Sequence, residues 1–335
     1  MGRGDDEAIL VTGAAGFIGS HLCEALLRRG YRVRGLDALT DFYDPARKRL
    51  NLVPLLACPG FDLVEEDLLT ADLAPALEGV GAIVHLAGEP GVSASWGPSF
   101  ARYVDRNLLA TQRLLEVACG HPVRRFVYAS SSSVYGADAG APQGRSEPRP
   151  FSPYGVSKLA AEALVGAYAV AYGVPTVSLR YFSVYGPRQR PDMAAHRFIE
   201  ALLDGVPLTV FGDGSQARDF TYVGDIVAAT VRALTADLPP ATVLDVANGN
   251  PVTVAGLIEC LHELLGVAGA SLHHREERRG DVPRTMGDTA TTRSLLGWGA
   301  TTDLPTGLRR QLQWHLALRQ QPTASTSGLR PSVSA

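Results

Sequence analysis

Residues 8–19 read Ala-Ile-Leu-Val-Thr-Gly-Ala-Ala-Gly-Phe-Ile-Gly, an apolar run followed by Gly13, Gly16 and Gly19. Ala8–Thr12 has the composition of a buried strand, and Leu22, Ala25 and Leu26 recur at helical spacing within Ser20–Arg29. Glycines three apart between a strand and a helix have a mechanical reading. The turn needs a residue without a Cβ, a pyrophosphate needs close approach to backbone, and the helix must pack near the strand. The helix start then offers free N–H groups and a partial positive charge to a diphosphate. Phe17 and Ile18 sit inside this turn. The spacing is G-x-x-G-x-x-G rather than G-x-G-x-x-G. Asp37 ends a second strand 18 residues after Gly19. A carboxylate there can accept hydrogen bonds from the adenosine ribose and would repel a 2′-phosphate, so NAD is expected rather than NADP. Asp67, after a third strand, is a candidate for contact with the adenine, beside Leu68.

Working outward, strand patterns recur at Tyr31–Leu36, Phe61–Glu65, Ala82–Leu86, Arg125–Ala129 and Thr176–Leu179. Between them, Pro98–Cys119 and Pro153–Tyr172 read as long helices. This alternation predicts an α/β fold with a Rossmann-type doubly wound parallel sheet. After Arg180 the rhythm changes to Gly- and Pro-rich loops, with helical patterns at about 194–203, 224–234 and 254–265 and a strand at Val243–Val246. Thr302–Leu318 reads as a closing amphipathic helix. The expected division is 1–180 plus about 217–250 as the NAD-binding domain. About 181–216 plus 251–320 form a smaller mixed α/β substrate domain, and 321–335 a disordered tail. The segment Arg218–Asp225 and the strand near Val243 are expected to return to the first sheet.

The 335 residues are 46% apolar and 19% charged, with net charge −3. That composition describes a folded globular chain with no electrostatic footprint for nucleic acid or an anionic membrane. Four dispersed cysteines make no disulfide framework or zinc site, and the eight histidines fit no metal-ligand spacing. His273-His274 reads as a surface pair. The acidic start MGRGDDE lacks an export pattern, and no run is long enough to span a bilayer, so a cytoplasmic location is expected.

Two further segments carry chemistry. In Tyr154-Gly-Val-Ser-Lys158 the phenol and the ammonium are four apart and share a helix face. A neighbouring ammonium and a cationic nicotinamide would favour phenolate and so make a base. The strand Arg125–Ala129 runs into Ser130-Ser131-Ser132-Ser133-Val134-Tyr135-Gly136, placing hydroxyls at the carboxyl edge of a parallel sheet, where such sheets bind ligands.

The glycine triplet, Asp37, His85–Gly88 (HLAG), Tyr128–Gly136 (YASSSSVYG), Tyr154–Lys158 and Arg218–Asp225 (RDFTYVGD) occur in order. Together they resemble the extended short-chain dehydrogenase/reductase family, in its NAD-dependent sugar-nucleotide epimerase/dehydratase branch, to about residue 318. The resemblance implies Tyr154 as base, Lys158 as its electrostatic partner and Ser131 as the hydroxyl that aligns the sugar oxygen. It also implies Leu86, Ala87, Ala129 and Tyr181 as cofactor contacts, and a homodimer paired through the two long helices.

Dehydratases of this branch carry an Asp-Glu pair after the equivalent of Ser131, and uronate decarboxylases carry Glu directly before Val-Tyr-Gly. Here those positions are Ser132 and Ser133, so elimination is disfavoured and a C4 epimerase cycle through a 4-keto sugar is expected. Ser183–Met193 and Asp41–Asp44 resemble the subgroup acting on UDP-glucuronate. UDP-glucose or UDP-N-acetylhexosamine 4-epimerases and, after them, UDP-glucuronate decarboxylases are the alternatives. Ser132, Ser133 and Ser183 are candidates to hold the sugar carboxylate. Arg190, Arg218 and Arg278 are candidates for the diphosphate, and Thr209 and Phe211 for the uracil edge. One departure stands out, because the segment after HLAG usually carries Arg soon after Gly-Val and here Ser93 follows Gly91-Val92.

Overall fold

Alternation of neighbouring side chains explains the architecture. In β1 (Ala8–Thr12), Ile9 and Val11 point into one apolar cluster while Leu10 points into another. A strand buried on both faces must lie in the middle of a covered sheet. In the computed structural model, which describes residues 7–138, 147–267, 269 and 271–320, β1 is flanked by β2 (Arg32–Leu36) and β3 (Phe61–Val64) on one side. On the other lie β4 (Val80–His85), β5 (Arg125–Ser131) and β6 (Thr176–Tyr181). Four short strands follow, β7 (Ser183–Tyr185), β8 (Leu208–Phe211), β9 (Ala217–Arg218) and β10 (Phe220–Tyr222), before β11 (Thr242–Val246) closes the main sheet. The sheet order is β11-β6-β5-β4-β1-β2-β3, and every pair is parallel. The chain reverses its direction of travel across the sheet between β1 and β4, and a crevice opens there beyond the strand ends.

Helices α1 (Phe17–Leu27) and α2 (Pro45–Leu56) cover the face that Ile9 and Val11 enter. The Leu10 face is covered by α3 (Ala74–Leu77), the helical segment that begins with α4 (Phe100–Tyr103) and ends with α5 (Ala110–Cys119), and α6 (Pro153–Tyr172). A separate small core forms from α7 (Ala194–Asp204), α9 (Val254–Leu265) and α11 (Leu304–Gln320) around β8. There β8 pairs with β13 (Leu272–Arg275), and β9 pairs with β12 (Val252–Thr253). Between these elements, α8 (Val223–Thr235) joins α1 on the main sheet, and α10 (Thr289–Leu296) lies against β11.

Several elements keep the boundaries read from sequence, notably α6, whose Ser152 caps the Gly155 N–H at 3.1 Å with Pro153 in the first turn. Two expectations are corrected. Pro98–Cys119 is not one regular helix, because it widens to a π-helical turn over Val104–Leu109. That turn aims Asn107 inward, where it bonds the Glu89 N–H at 2.7 Å, the Glu89 carbonyl at 3.0 Å and Ser157 Oγ at 2.9 Å. The second concerns Arg218–Asp225. Val243 does lie in the main sheet, but β10 pairs with β7 outside it, and only α8 packs onto the sheet layer. The helix α2 is an addition to the elements expected from sequence, and it opens on Pro45. That proline sits in the first turn, with Asp44 accepting the Ala46 N–H at 2.9 Å. Among the described residues no helix is long and apolar enough to cross a membrane.

Candidate active site

Two clefts meet at the crevice. The first is lined by Gly13, Gly16, Phe17, Ile18, Gly19, Asp37, Asp67, Leu68, Leu86, Ala87, Ala129 and Tyr181, all of them expected cofactor residues. Gly13 has φ +72°, and a Cβ on it would come within 2.9 Å of the Ala87 nitrogen. A Cβ on Gly19 would collide with the Gly13 carbonyl. Gly16 occupies the N-cap of α1 and brings no side chain, so the helix start stays open toward the cleft. Buried Asp37 accepts the Ala15 N–H at 2.9 Å and the Leu39 N–H at 2.8 Å, which ties the glycine turn to the end of β2. Asp67 accepts from the Leu69 N–H at 3.0 Å and from Arg106 at 3.2 Å. A cradle open at a helix start, with a carboxylate beyond it, fits a dinucleotide.

The floor of this cleft is fixed by a directional chain of bonds. The Ala87 N–H donates to Thr12 Oγ1 at 3.2 Å, and Thr12 meets His85 Nδ1 at 2.7 Å. His85 Nε2 meets Thr111 Oγ1 at 2.9 Å, and that hydroxyl donates to the Asn107 carbonyl at 2.6 Å. With the Thr111 proton so committed, that oxygen accepts from His85 Nε2–H, and the neutral ring accepts the Thr12 proton at Nδ1. Burial holds its pKa down to about 3, so the ring is neutral.

Lys48 escaped the sequence reading and lines the same cleft. It is buried, donates to Thr40 Oγ1 at 3.0 Å and lies 5.2 Å from the centre of the Tyr43 ring. The available signal was compositional. The chain contains two lysines, Lys48 and Lys158, and both are buried in these clefts while arginine supplies the other side-chain cations.

The second cleft brings together Ser131, Ser132, Ser133, Tyr154, Lys158, Ser183, Arg190 and Arg218. Ser131 ends β5 and hydrogen-bonds the Tyr154 phenol, whose ring stands edge-on to Tyr103 at 6.1 Å. Burial adds an influence that the sequence does not show. Burial raises the Tyr154 pKa, opposed by the Ser131 bond and by Arg190. Burial also draws the Lys158 pKa down to about 7, opposed by Glu162, and the amine lies 4.3 Å from the Tyr128 ring centre. In this dry site the lysine does not by itself make a phenolate.

Arg190 borders both clefts, pairs with Asp192 through two contacts of 3.0 Å and lies 5.7 Å from the Phe42 ring centre. Arg218 pairs with Asp281. Thr209, Phe211 and Arg278 lie in an adjoining cleft that shares Ser183 and Arg218 with the catalytic one. The Arg278 guanidinium covers the Phe211 ring at 3.7 Å, with Arg197 at 5.5 Å, so that ring face is already occupied. Near Ser93, where a family arginine is missing, Arg102 and Arg106 reach buried Glu89 at 2.8 and 3.9 Å. Glu89 and Asp281 are the carboxylates lining the catalytic cleft among the described residues, and arginines hold both.

His196, Glu200 and His315 also come together, their ligand atoms within 4.8 Å of one another. Most of these atoms are engaged, His315 Nδ1 with Glu200, His196 Nδ1 with the Gln189 carbonyl at 2.8 Å and His196 Nε2 with Arg47 at 3.2 Å, while His315 Nε2 is buried without a hydrogen-bond partner among the described residues. With Arg47 and Arg319 in contact, the cluster reads as a buried polar network rather than a cation site. His273 and His274 are exposed on β13.

The model of the NAD dependent epimerase/dehydratase family matches residues 9–247. The chain belongs to that family. An uncharacterized UDP-glucose epimerase of Bacillus subtilis is 43% identical over 93% of this chain and 99% of its own length. The UDP-glucuronate 4-epimerase of Thermodesulfobacterium geofontis is 36% identical over 91% of this chain and 95% of its own. Among solved structures, the UDP-glucuronic acid 4-epimerase of Bacillus cereus, in complex with UDP-glucuronic acid and NAD, superposes with a TM-score of 0.90. It is 40% identical, covering 93% of this chain and 99% of that one. The family's NAD dependence agrees with the glycine cradle and Asp37.

Proposed function

We propose that this family member is an NAD-dependent UDP-glucuronate 4-epimerase that forms UDP-galacturonate. The observation that carries the reading is the cluster of Ser131, Tyr154 and Lys158 in one cleft with Ser132, Ser133 and Ser183, where among the described residues no carboxylate is free for elimination. The likeness to the Bacillus cereus structure supports it. Gly13, Gly16, Gly19, Asp37 and Lys48 would hold the dinucleotide, which when bound supplies a ring that takes hydride from C4 of the sugar and returns it.

Within that frame Tyr154 removes the C4 hydroxyl proton and later returns it to the keto oxygen, once the sugar has turned its other face to the hydride, with Ser131 fixing the oxygen by a hydrogen bond. The buried phenol is a poor base alone, and a bound cofactor would supply a cationic ring whose charge favours the phenolate. Between the two steps the sugar is a 4-keto uronic acid, a β-keto acid prone to lose CO₂. Hydroxyls from Ser132, Ser133 and Ser183 would hold its carboxylate away from the geometry of C–C cleavage. Arg218 and Arg278 would meet the diphosphate, and Arg190, adjacent to Tyr154, the sugar end.

A homodimer in the cytoplasm belongs to the same reading. Its support is the apolar surface on the expected pairing helices, where Leu109, Val156, Val170 and Tyr172 are exposed. A UDP-glucose 4-epimerase is the second reading, favoured by the description of the Bacillus subtilis relative. Incubating the protein and NAD separately with UDP-glucuronate and UDP-glucose, with products resolved by NMR, separates the two. Conversion of UDP-glucose alone removes the first reading, and CO₂ release with UDP-glucuronate points to a decarboxylase.

A further inference from the structure

Beneath the catalytic cleft lies a chain of charged and hydroxyl groups that the mechanism above does not use. Its centre is Glu162, 7% exposed, on α6 one turn after Lys158 and two turns after Tyr154. Ser130, the neighbour of Ser131 at the end of β5, donates to Glu162 Oε2 at 2.5 Å. Arg180 on β6 donates to the same oxygen at 3.0 Å and, through its other arm, to the Tyr135 phenol at 2.6 Å. Tyr135 in turn donates to Asp245 Oδ1 on β11 at 2.7 Å.

An ion pair this deep is a poor way to gain stability, because desolvation offsets most of the attraction and apolar packing would serve as well. Its members occupy informative positions. One bond from Glu162 grips the strand end that carries Ser131, and the same carboxylate shares a helix side with Tyr154 and Lys158. We propose that Glu162 is a positioning residue for the epimerase reaction, a buried negative charge that binds the Ser131 end of β5 to α6 and steadies the Lys158 ammonium from the next turn. This rests on the epimerase reading for its kinetic consequence but not for its physical one.

Among the described residues, Tyr128 from β5, neutral His85 from β4 and Glu162 from its own helix face Lys158, with Arg180 behind Glu162 and Tyr154 in the same cleft. Of these Glu162 is the group that raises the lysine's pKa against burial. Removing its charge therefore lets the amine lose its proton at lower pH.

The two-lysine composition makes this measurable without substrate. Full-length protein labelled with 13C,15N-lysine gives two side-chain signals, and the one missing in Lys158→Met is Lys158. The expected result is that Glu162→Gln moves the Lys158 titration midpoint down by about one unit while Lys48 stays in place. Glu162→Asp restores it, and Ser130→Ala gives a smaller shift of the same sign. In turnover the basic limb of the kcat profile moves the same way in Glu162→Gln, about a tenfold loss above that limb, with KM little changed. An unmoved Lys158 midpoint overturns the proposal. So does a loss of activity that Glu162→Asp fails to recover. If Glu162→Gln does not fold, the Ser130→Ala and Glu162→Asp titrations decide, and equal midpoints in Ser130→Ala and the unaltered protein overturn it. Failure of the unaltered protein to convert any UDP-sugar counts against the epimerase reading and leaves the titration test standing.

Discussion

Lys158 Nζ lies 4.3 Å from the centre of the Tyr128 ring, and both side chains are buried. An aromatic face is a weak substitute for water around an ammonium, and burial accordingly brings the lysine to about 7 from an ordinary 10.5. Below about pH 7 folded and unfolded chains both hold the proton, and the folded state bears the whole desolvation cost. Between about 7 and 10.5 only the unfolded chain stays protonated, so this residue makes stability rise with pH. Lys158→Met is expected to flatten that rise and to increase the unfolding free energy at pH 7, measured by denaturant titration from pH 6 to 9. An unchanged slope argues against a neutral lysine.

Removing the phenol oxygen from the same cluster separates chemistry from binding. Tyr154→Phe keeps the ring against Tyr103 and leaves the glycine cradle untouched. Turnover is expected to fall by roughly 10²–10⁴-fold or more, the range for loss of a general base. Bound NAD, read by absorbance of the denatured supernatant, should match the unaltered protein. Retained turnover takes the base role from Tyr154.

The serines test the choice of sugar. Ser133→Ala or Ser183→Ala removes one hydroxyl from the catalytic cleft, a change of about 1.5–3 kcal/mol for a hydrogen bond to a carboxylate. KM for UDP-glucuronate should rise roughly ten- to a hundredfold by that figure, with UDP-glucose unaffected. CO₂ release per turnover should increase as the keto acid gains freedom. Equal effects on both substrates mean that these hydroxyls only border the site.

What could be read beforehand followed from locality. Gly13, Gly16, Gly19 and Asp37 announce themselves because a tight turn and a strand end are short-range events, and the cleft forms around them. Tyr154 and Lys158 are legible because four residues make one helical turn. Glu89, Arg102 and Arg106 were not legible, since their pairing depends on how a π-helical turn rotates Asn107 and Arg106 toward the loop after β4. The burial that shifts Tyr154 and Lys158 was not legible for a related reason. Charge neighbours can be guessed from sequence, but burial, here the larger influence, belongs to tertiary packing. Lys48 was not legible because the packing of α2 is what brings it into the cleft.

The neutral His85 implies a specific acid sensitivity. Its pKa falls from 6.5 to about 3 through burial, and its two nitrogens are committed to Thr12 and Thr111. The unfolded chain takes up a proton below about pH 6.5 that the folded chain refuses, so stability declines as pH drops from there toward 3. For this fully buried ring the loss by pH 4 is about 3 kcal/mol. His85→Asn should lower stability at neutral pH and flatten the decline between pH 6.5 and 4, as followed by chemical denaturation. A parallel decline in both proteins would locate the acid sensitivity elsewhere, for instance at His21 and His196, both held near 4.

Three glycines distinguish a cofactor cradle from an ordinary turn. At Gly19 a Cβ would strike the Gly13 carbonyl, and at Gly13 it would meet the Ala87 nitrogen at 2.9 Å in a backbone already at φ +72°. Neither obstacle is a flexible side chain, so the turn itself must shift, at a cost of about 1–3 kcal/mol. Gly30 also has positive φ, +80°, but nothing lies within 4 Å of its Cβ position. Gly30→Ala should therefore cost about 1 kcal/mol of backbone strain and retain NAD. Gly19→Ala should lower the thermal midpoint further and, unlike Gly30→Ala, emerge from purification depleted of NAD. Full NAD content in Gly19→Ala would mean that the cradle tolerates displacement, and the close-approach argument for residues 13–19 would fail.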